Sequence, residues 1–227
     1  MSRIVELSHP IEHGMVTYPG LPGPVISDFL GREASRGHYA EGTTFQIARL
    51  RMVVNTGTYV DAPFHRYTHG ADVGSLPLER LADIETTVVD ATPGAARLAG
   101  ATKGRSIDAD AFAGRTLAGR AVLVRTGWDA HWRTPQYFEG HPYLSRAAAE
   151  MLASSGAALV GIDSLNIDDT ADGVRPAHTL LLGAGIPIVE HLTGLASLPE
   201  SGARFHCVPA PFRGVGSFPV RAYAVVA

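Results

Sequence analysis

Cysteine is almost missing from this 227-residue chain: Cys207 stands alone. One cysteine excludes an internal disulfide framework and any zinc motif built on several cysteines, and it fits a reducing compartment. Its expected role is that of a small buried hydrophobe. Charge of one sign is missing as well. Nineteen basic and 22 acidic residues give a formal charge of -3, without a long run of either sign, so a nucleic-acid surface is not expected. No stretch reaches the roughly 18 apolar residues of a membrane span, and Met1 to Glu6 shows no secretory signal pattern, so a cytoplasmic protein without a membrane partner is expected. There is no P-loop, no G-x-G-x-x-G, no G-x-S-x-G and no EF-hand loop, which removes the main signals for a nucleotide cofactor or α/β-hydrolase chemistry. Internal repeats and low-complexity tracts are also lacking.

What is present is the composition of a folded globular domain. Hydrophobic residues make up 45% and charged residues 18%, values outside the disordered range. Twenty-five glycines and 15 prolines indicate many tight turns. Short β-rich runs are spread along the chain at 4–7, 45–54, 86–89, 121–125, 158–162, 186–189, 205–208 and 220–226. Helical signals are fewer. One covers 145–154, with Ser145 as N-cap and Gly156 beyond its end; another covers 178–182 before Gly183 and Gly185. Strands outnumber helices and alternate with them only in the second half, which predicts one mixed α/β domain over residues 1–227 and not a doubly wound sheet. The segment from Tyr18 to Pro24 holds three prolines and is expected to be an ordered loop or arm.

Two polar clusters could carry chemistry. The first runs from Asn55 to His65. If it is extended, positions 55, 57, 59 and 61 share one face, Gly57 leaves room for a ligand, and Pro63 ends the strand so that His65 folds back toward Asp61. Ordinary loop chemistry would account for the same residue types. The second joins His178, at the start of a short apolar helix, to Glu190 at the end of an apolar strand. A buried Glu190 needs a partner, either a metal or an arginine such as Arg175 or Arg213. Between the clusters, Asp163 could orient a site residue, whereas Asp168 and Asp169 read as solvated.

Together these segments resemble the cyclase-like metal-dependent hydrolase family that includes bacterial kynurenine formamidase and isatin hydrolase. The resemblance covers nearly the whole chain. It rests on Glu6-Leu7-Ser8-His9, Tyr18-Pro19-Gly20, Thr56-Gly57-Thr58 through Asp61-Ala62-Pro63-Phe64-His65, Leu76 to Leu81, Gly161-Ile162-Asp163, Pro176-Ala177-His178, Gly185 to Glu190 and Pro219 to Ala222. It implies a swivelling β/β/α fold and a site for zinc or manganese. In the family motif H-x-G-T-H-x-D-x-P-x-H the two leading histidines fall here on Asn55 and Tyr59. Asp61, His178 and Glu190 match metal ligands, His65 matches the proton-transferring histidine, and Tyr18 matches an aromatic that contacts substrate.

Amide and phenol are poor replacements for imidazole, so the reading is of one divalent ion, zinc or manganese, on Asp61, His178 and Glu190. The implied activity is metal-assisted hydrolysis of an amide, formamide or lactam-like bond in a small aromatic or cyclic substrate. His65 would act as acid and base, Tyr59 or Asn55 would donate to the oxyanion, and Tyr18 and Asn55 would contact substrate. The alternatives are a metal-free binding protein and a metal-independent cyclase or lyase using Tyr59 and His65. The Pro19 to Pro24 arm and the resemblance both predict a homo-oligomer.

Overall fold

The computed structural model describes residues 2–95 and 102–227. Its strands, in chain order, are β1 (Arg3–Glu6), β2 (Val25–Leu30), β3 (Ile47–Arg51), β4 (Tyr59–Asp61), β5 (Ile84–Asp90), β6 (Thr102–Lys103) and β7 (Ser106–Ile107). They continue with β8 (Ala121–Arg125), β9 (Tyr143–Leu144), β10 (Leu159–Ile162), β11 (Ile188–Glu190), β12 (Ser201–His206), β13 (Ser217–Pro219) and β14 (Tyr223–Val226). The helices that matter for the site are α2 (Arg146–Ser154) and α3 (Pro176–Gly183); a single turn, α1 (Arg32–Ser35), precedes them.

Nine strands form one mixed sheet in the order β1-β14-β12-β5-β8-β10-β11-β4-β13. Its centre, β5-β8-β10-β11, is parallel, and both flanks are antiparallel. Parallel strands need both faces covered. The period of two sends Leu123 into one core with Val60, Val189 and Phe205, while Val122 and Val124 enter the other with Ile162, Leu152 and Leu181. Helices α2 and α3 cover that second face. Ser145 caps α2 as expected, its hydroxyl accepting from the Ala148 amide, and Ala148, Ala149 and Leu152 face inward. Cys207 is buried in the first core, and burial pushes its thiol well above the ordinary range, in agreement with its expected role.

The mixed α/β expectation agrees with this architecture, and the 121–125 run matches β8 residue for residue. The hairpin β2–β3 is an addition, since only its second strand had a sequence signal. The Asn55–Asp61 segment departs from expectation. Gly57 takes φ +67°, outside the extended region, so the strand is limited to Tyr59–Asp61 and the alternation does not reach back to Asn55. A Cβ at Gly57 would press on the Ile11 side chain at 2.9 Å. The glycine therefore serves the turn and its packing, not a ligand.

Candidate metal centre

The register of β4 explains most of the site. Tyr59 lies opposite Glu190 of β11, and Asp61 lies opposite Ser217 of β13. Directly opposed residues project to the same face. Accordingly the Tyr59 hydroxyl donates to Glu190 Oε2 at 2.6 Å, and the Ser217 hydroxyl donates to Asp61 Oδ1. After Asp61 the chain makes a single 3-10 turn, Pro63–His65, which returns His65 toward the strand as the proline predicted. His65 Nδ1 lies 2.9 Å from Ser217 Oγ and 3.8 Å from Asp61 Oδ1. This approach depends on Gly216, where a Cβ would sit 2.6 Å from the His65 Cα. Because the single Ser217 proton goes to Asp61, the serine oxygen accepts Nδ1–H of His65, and Nε2 is left as the basic nitrogen.

His178 comes from the first turn of α3. Its Nδ1 donates to Asp168 Oδ2 at 2.7 Å, and the same carboxylate accepts from the Ala177 and His178 amides at 2.6 and 3.0 Å. Asp168 is fully buried, which corrects the reading of it as solvated. Burial opposes its charge, but the bonds from the His178 ring, His178 amide and Ala177 amide outweigh this and hold its carboxyl below the usual range. The arrangement fixes His178 with Nδ1 protonated and turns Nε2 toward Asp61 Oδ2 and Glu190 Oε1, each 3.7 Å away. Sequence reasoning missed this role because D-D-x at a loop start looks like ordinary turn chemistry; the nearby helix start at Pro176 was the available hint.

Glu190 is held on all sides. Ile167 N donates to Oε1 at 2.7 Å, and Asn166 Nδ2 reaches Oε2 at 3.4 Å beside the Tyr59 hydroxyl. No arginine pairs with it among the described residues, so the core salt-bridge alternative does not apply. Burial raises the Glu190 carboxyl above its ordinary value against the opposing charge of His178, and nearby Asp61 raises it further. Burial also pushes the Tyr59 phenol well up, as do the charges of Glu190 and Asp61. It stays protonated, and its proton is committed to Glu190. Asp163, by contrast, does not orient the site. It accepts from Thr126 N, Thr126 Oγ1 and Gly127 N at 2.6, 2.6 and 3.0 Å, closing the turn after β8.

The residues predicted from sequence therefore converge. Tyr18, Asn55, Tyr59, His65, His178 and Glu190 all line one cleft of about 400 Å³. Ser217, Asn166 and Asp168 are the additions.

Three observations show that the donors suit one divalent cation. Asp61 Oδ2 is buried and has no hydrogen-bond partner, which is costly for a carboxylate. The 3.7 Å spacings to His178 Nε2 are too long for hydrogen bonds, yet close to the separation of about 3.4 Å expected for two ligands held at about 2.1 Å around a tetrahedral ion. Asp61, Asp168 and Glu190 also place three carboxyl groups around a single imidazole. Burial works against the imidazolium, but Asp168, Asp61 and Glu190 raise the His178 pKa to about 10. Donor atoms of Asp61, His65 and His178 lie within 4.8 Å of one another, so His65 borders the same space. A second ion would have to rely on the Asn55 amide and on a phenol that keeps its proton and donates it to Glu190, and this set does not fit one.

The family model Cyclase, described as "Putative cyclase", matches residues 5–169. Kynurenine formamidase of Bacillus cereus is 27% identical over 222 residues, covering 97% of this chain and 96% of that protein. The Bacillus anthracis enzyme of the same name is 26% identical with equal coverage. Among solved structures, isatin hydrolase A from Ralstonia solanacearum superposes with a TM-score of 0.81 at 22% identity, over 100% of this chain and 92% of that one. A structure described as a potential metal-dependent hydrolase with cyclase activity gives 0.79 at 24% identity, over 100% and 99%. These structural likenesses establish a shared fold.

Proposed function

The chain belongs to the Cyclase family, and from that premise we propose that it hydrolyses an amide, formamide or lactam-like bond in a small aromatic or cyclic substrate, with an arylformamide as the preferred case. The observation that carries the reading is the buried Oδ2 of Asp61, which accepts no hydrogen bond and faces His178 Nε2 at 3.7 Å. Asp61, His178 and Glu190 would hold one zinc or manganese ion. When bound, such an ion supplies positive charge that polarises a carbonyl and acidifies water.

The protein groups have separate tasks. His65, with Nδ1 engaged by Ser217, takes the proton of the attacking water on Nε2 and returns it to the leaving nitrogen. Asp168 keeps His178 in the tautomer and orientation of a ligand. Tyr59 and Asn166 steady Glu190, while Asn55 and Tyr18 border the space where the substrate ring lies. Support for an aromatic substrate comes from the relatives named kynurenine formamidase. The metal-independent cyclase or lyase alternative would use a Tyr59 proton that is already donated to Glu190.

The same reading includes one domain over residues 1–227, a cytoplasmic location suggested by the free buried Cys207, and a homo-oligomer without nucleic-acid or membrane partners. Exposed Ile26, Phe29, Ile47 and Leu50 on the β2–β3 hairpin support self-association. No described helix is long and apolar enough to cross a membrane. The test is turnover of formanilide by protein loaded with zinc or manganese. Release of formate that stops after chelation and returns with the ion is expected; undiminished turnover in chelated, metal-free protein would overturn the mechanism.

A further inference from the structure

We propose that the mouth of the cleft is a carboxylate subsite formed by Arg66 and Arg175, so that the preferred substrate carries a carboxylate away from the bond that is cut. The subsite itself stands on the cleft; the nature of the cut bond rests on the amide-hydrolase reading. Arg66 and Arg175 both line the cleft that holds His65, His178 and Glu190. Neither has an ion-pair partner among the described residues, whereas Arg120, Arg125 and Arg133, elsewhere on the molecule, are each paired with a carboxylate.

Their protein contacts are long and neutral. Arg175 donates from Nη1 to Asn166 Oδ1 and the Asp169 carbonyl, both at 3.3 Å, and from Nη2 to the Thr170 carbonyl at 3.4 Å. These bonds orient the guanidinium without neutralising it. Arg66 has Nε at 3.4 Å from Thr179 Oγ1 and lies over the Tyr67 ring at 5.4 Å, which leaves the outer edge of its fork for an external acceptor. Arg175 also occupies a left-handed backbone position, φ +50°, where glycine or asparagine would be easier. Such left-handed positions in residues other than glycine cluster at ligand clamps.

The charge pattern then gives direction. With one divalent ion held, the Asp61 and Glu190 carboxylates cancel its formal charge, so the two guanidinium groups without ion-pair partners, which line the same cleft, are what draws a substrate carboxylate. An anionic substrate enters with its neutral carbonyl end toward His65 and its carboxylate between the arginines. Guanidinium is suited to this task because its planar fork matches a carboxylate.

The experiment compares kcat/KM for formanilide with that for ortho-, meta- and para-formamidobenzoate in metal-loaded protein. At least one isomer should exceed formanilide by about tenfold or more, as charge-assisted bonds to a carboxylate require. In R66Q/R175Q that ratio should collapse to within about threefold of one, mainly through KM. Calorimetry with benzoate, and benzamide as the neutral control, reads the subsite without turnover. Benzoate should bind the original protein more tightly than benzamide does, and the preference should disappear in the double variant. An original protein that prefers formanilide to every isomer, or an anionic preference that survives in R66Q/R175Q, would overturn the proposal. If no formamide is cleaved, the amide-hydrolase reading fails, and the calorimetric preference alone decides the subsite: its loss in R66Q/R175Q supports it, and its absence in the original protein refutes it.

Discussion

Glu190 and Asp61 are the last residues of two neighbouring antiparallel strands, both fully buried, and are treated oppositely by the protein around them. Glu190, on the β11 side, receives Tyr59, Asn166 and the Ile167 amide. Asp61, on the β4 side, receives Ser217 on one oxygen and nothing on the other. The first is braced on both oxygens, as the proposed ligand role would require; the second has one oxygen without a hydrogen bond, facing His178. The difference teaches that the replaced motif positions have not dismantled the centre. Tyr59, at the position of a motif histidine, donates to Glu190 on the neighbouring strand, and in the proposed single-ion centre it would brace that ligand.

Breaking the proton path should have the largest effect. His65→Ala should lower formanilide turnover by about 10²–10⁴-fold, the usual worth of a positioned acid or base, with bound metal unchanged by elemental analysis. Loss of metal together with activity would instead make His65 a ligand. Next comes the brace on His178. Asp168→Asn should weaken zinc affinity by about 10–100-fold in a competition titration, because it loosens the ring without removing a ligand.

Restoring the missing imidazoles sharpens the comparison from the other side. Asn55→His with Tyr59→His should raise metal stoichiometry toward two per chain while removing a hydrogen bond from Glu190. A folded double variant that still takes up a single ion would show that the pocket around Gly57 has been rebuilt.

The smallest effect concerns acid stability away from the proposed ion, where half-buried His9 and buried Asp163 act in opposite directions. Burial lowers the His9 pKa to about 4, despite the nearby charge of Asp129. Its unfolded form therefore binds the proton more readily, and the associated stability is lost as pH falls from about 6.5 to 4. Burial raises Asp163 to about 6, although Thr126 and Gly127 donate to it. The folded form here binds the proton more readily, so stability falls as pH rises from about 4 to 6. Urea midpoints between pH 4.5 and 7 should accordingly fall less on acidification in His9→Gln than in the original protein, and more in Asp163→Asn.

Much of the site was legible in the sequence because its residues lie in short local patterns. Asp61-Ala62-Pro63-Phe64-His65 implies a strand, a stop and a return, and Pro176-Ala177-His178 implies a helix start; the structure has both. The parallel centre of the sheet was only partly legible, since an apolar run such as 121–125 announces a buried strand without naming its neighbours. Ser217 and Asn166 were illegible for a similar reason. Each acts across a strand pairing or loop closure more than 20 residues away, and serine and asparagine carry no periodic signal of their own. Asp168 was misread because local polarity predicts solvent, while its burial follows from how the 168–175 loop closes over α3. Gly57 was misread because period two was extended through a residue that needs positive φ.

The most direct test of the central claim is metal content after loading with zinc or manganese and removal of excess ion, measured on the original protein and on Glu190→Gln side by side. One ion per chain in the original protein and essentially none in the variant is the predicted result. No ion in the original, two ions, or one ion retained by Glu190→Gln would contradict a single centre held by Asp61, His178 and Glu190.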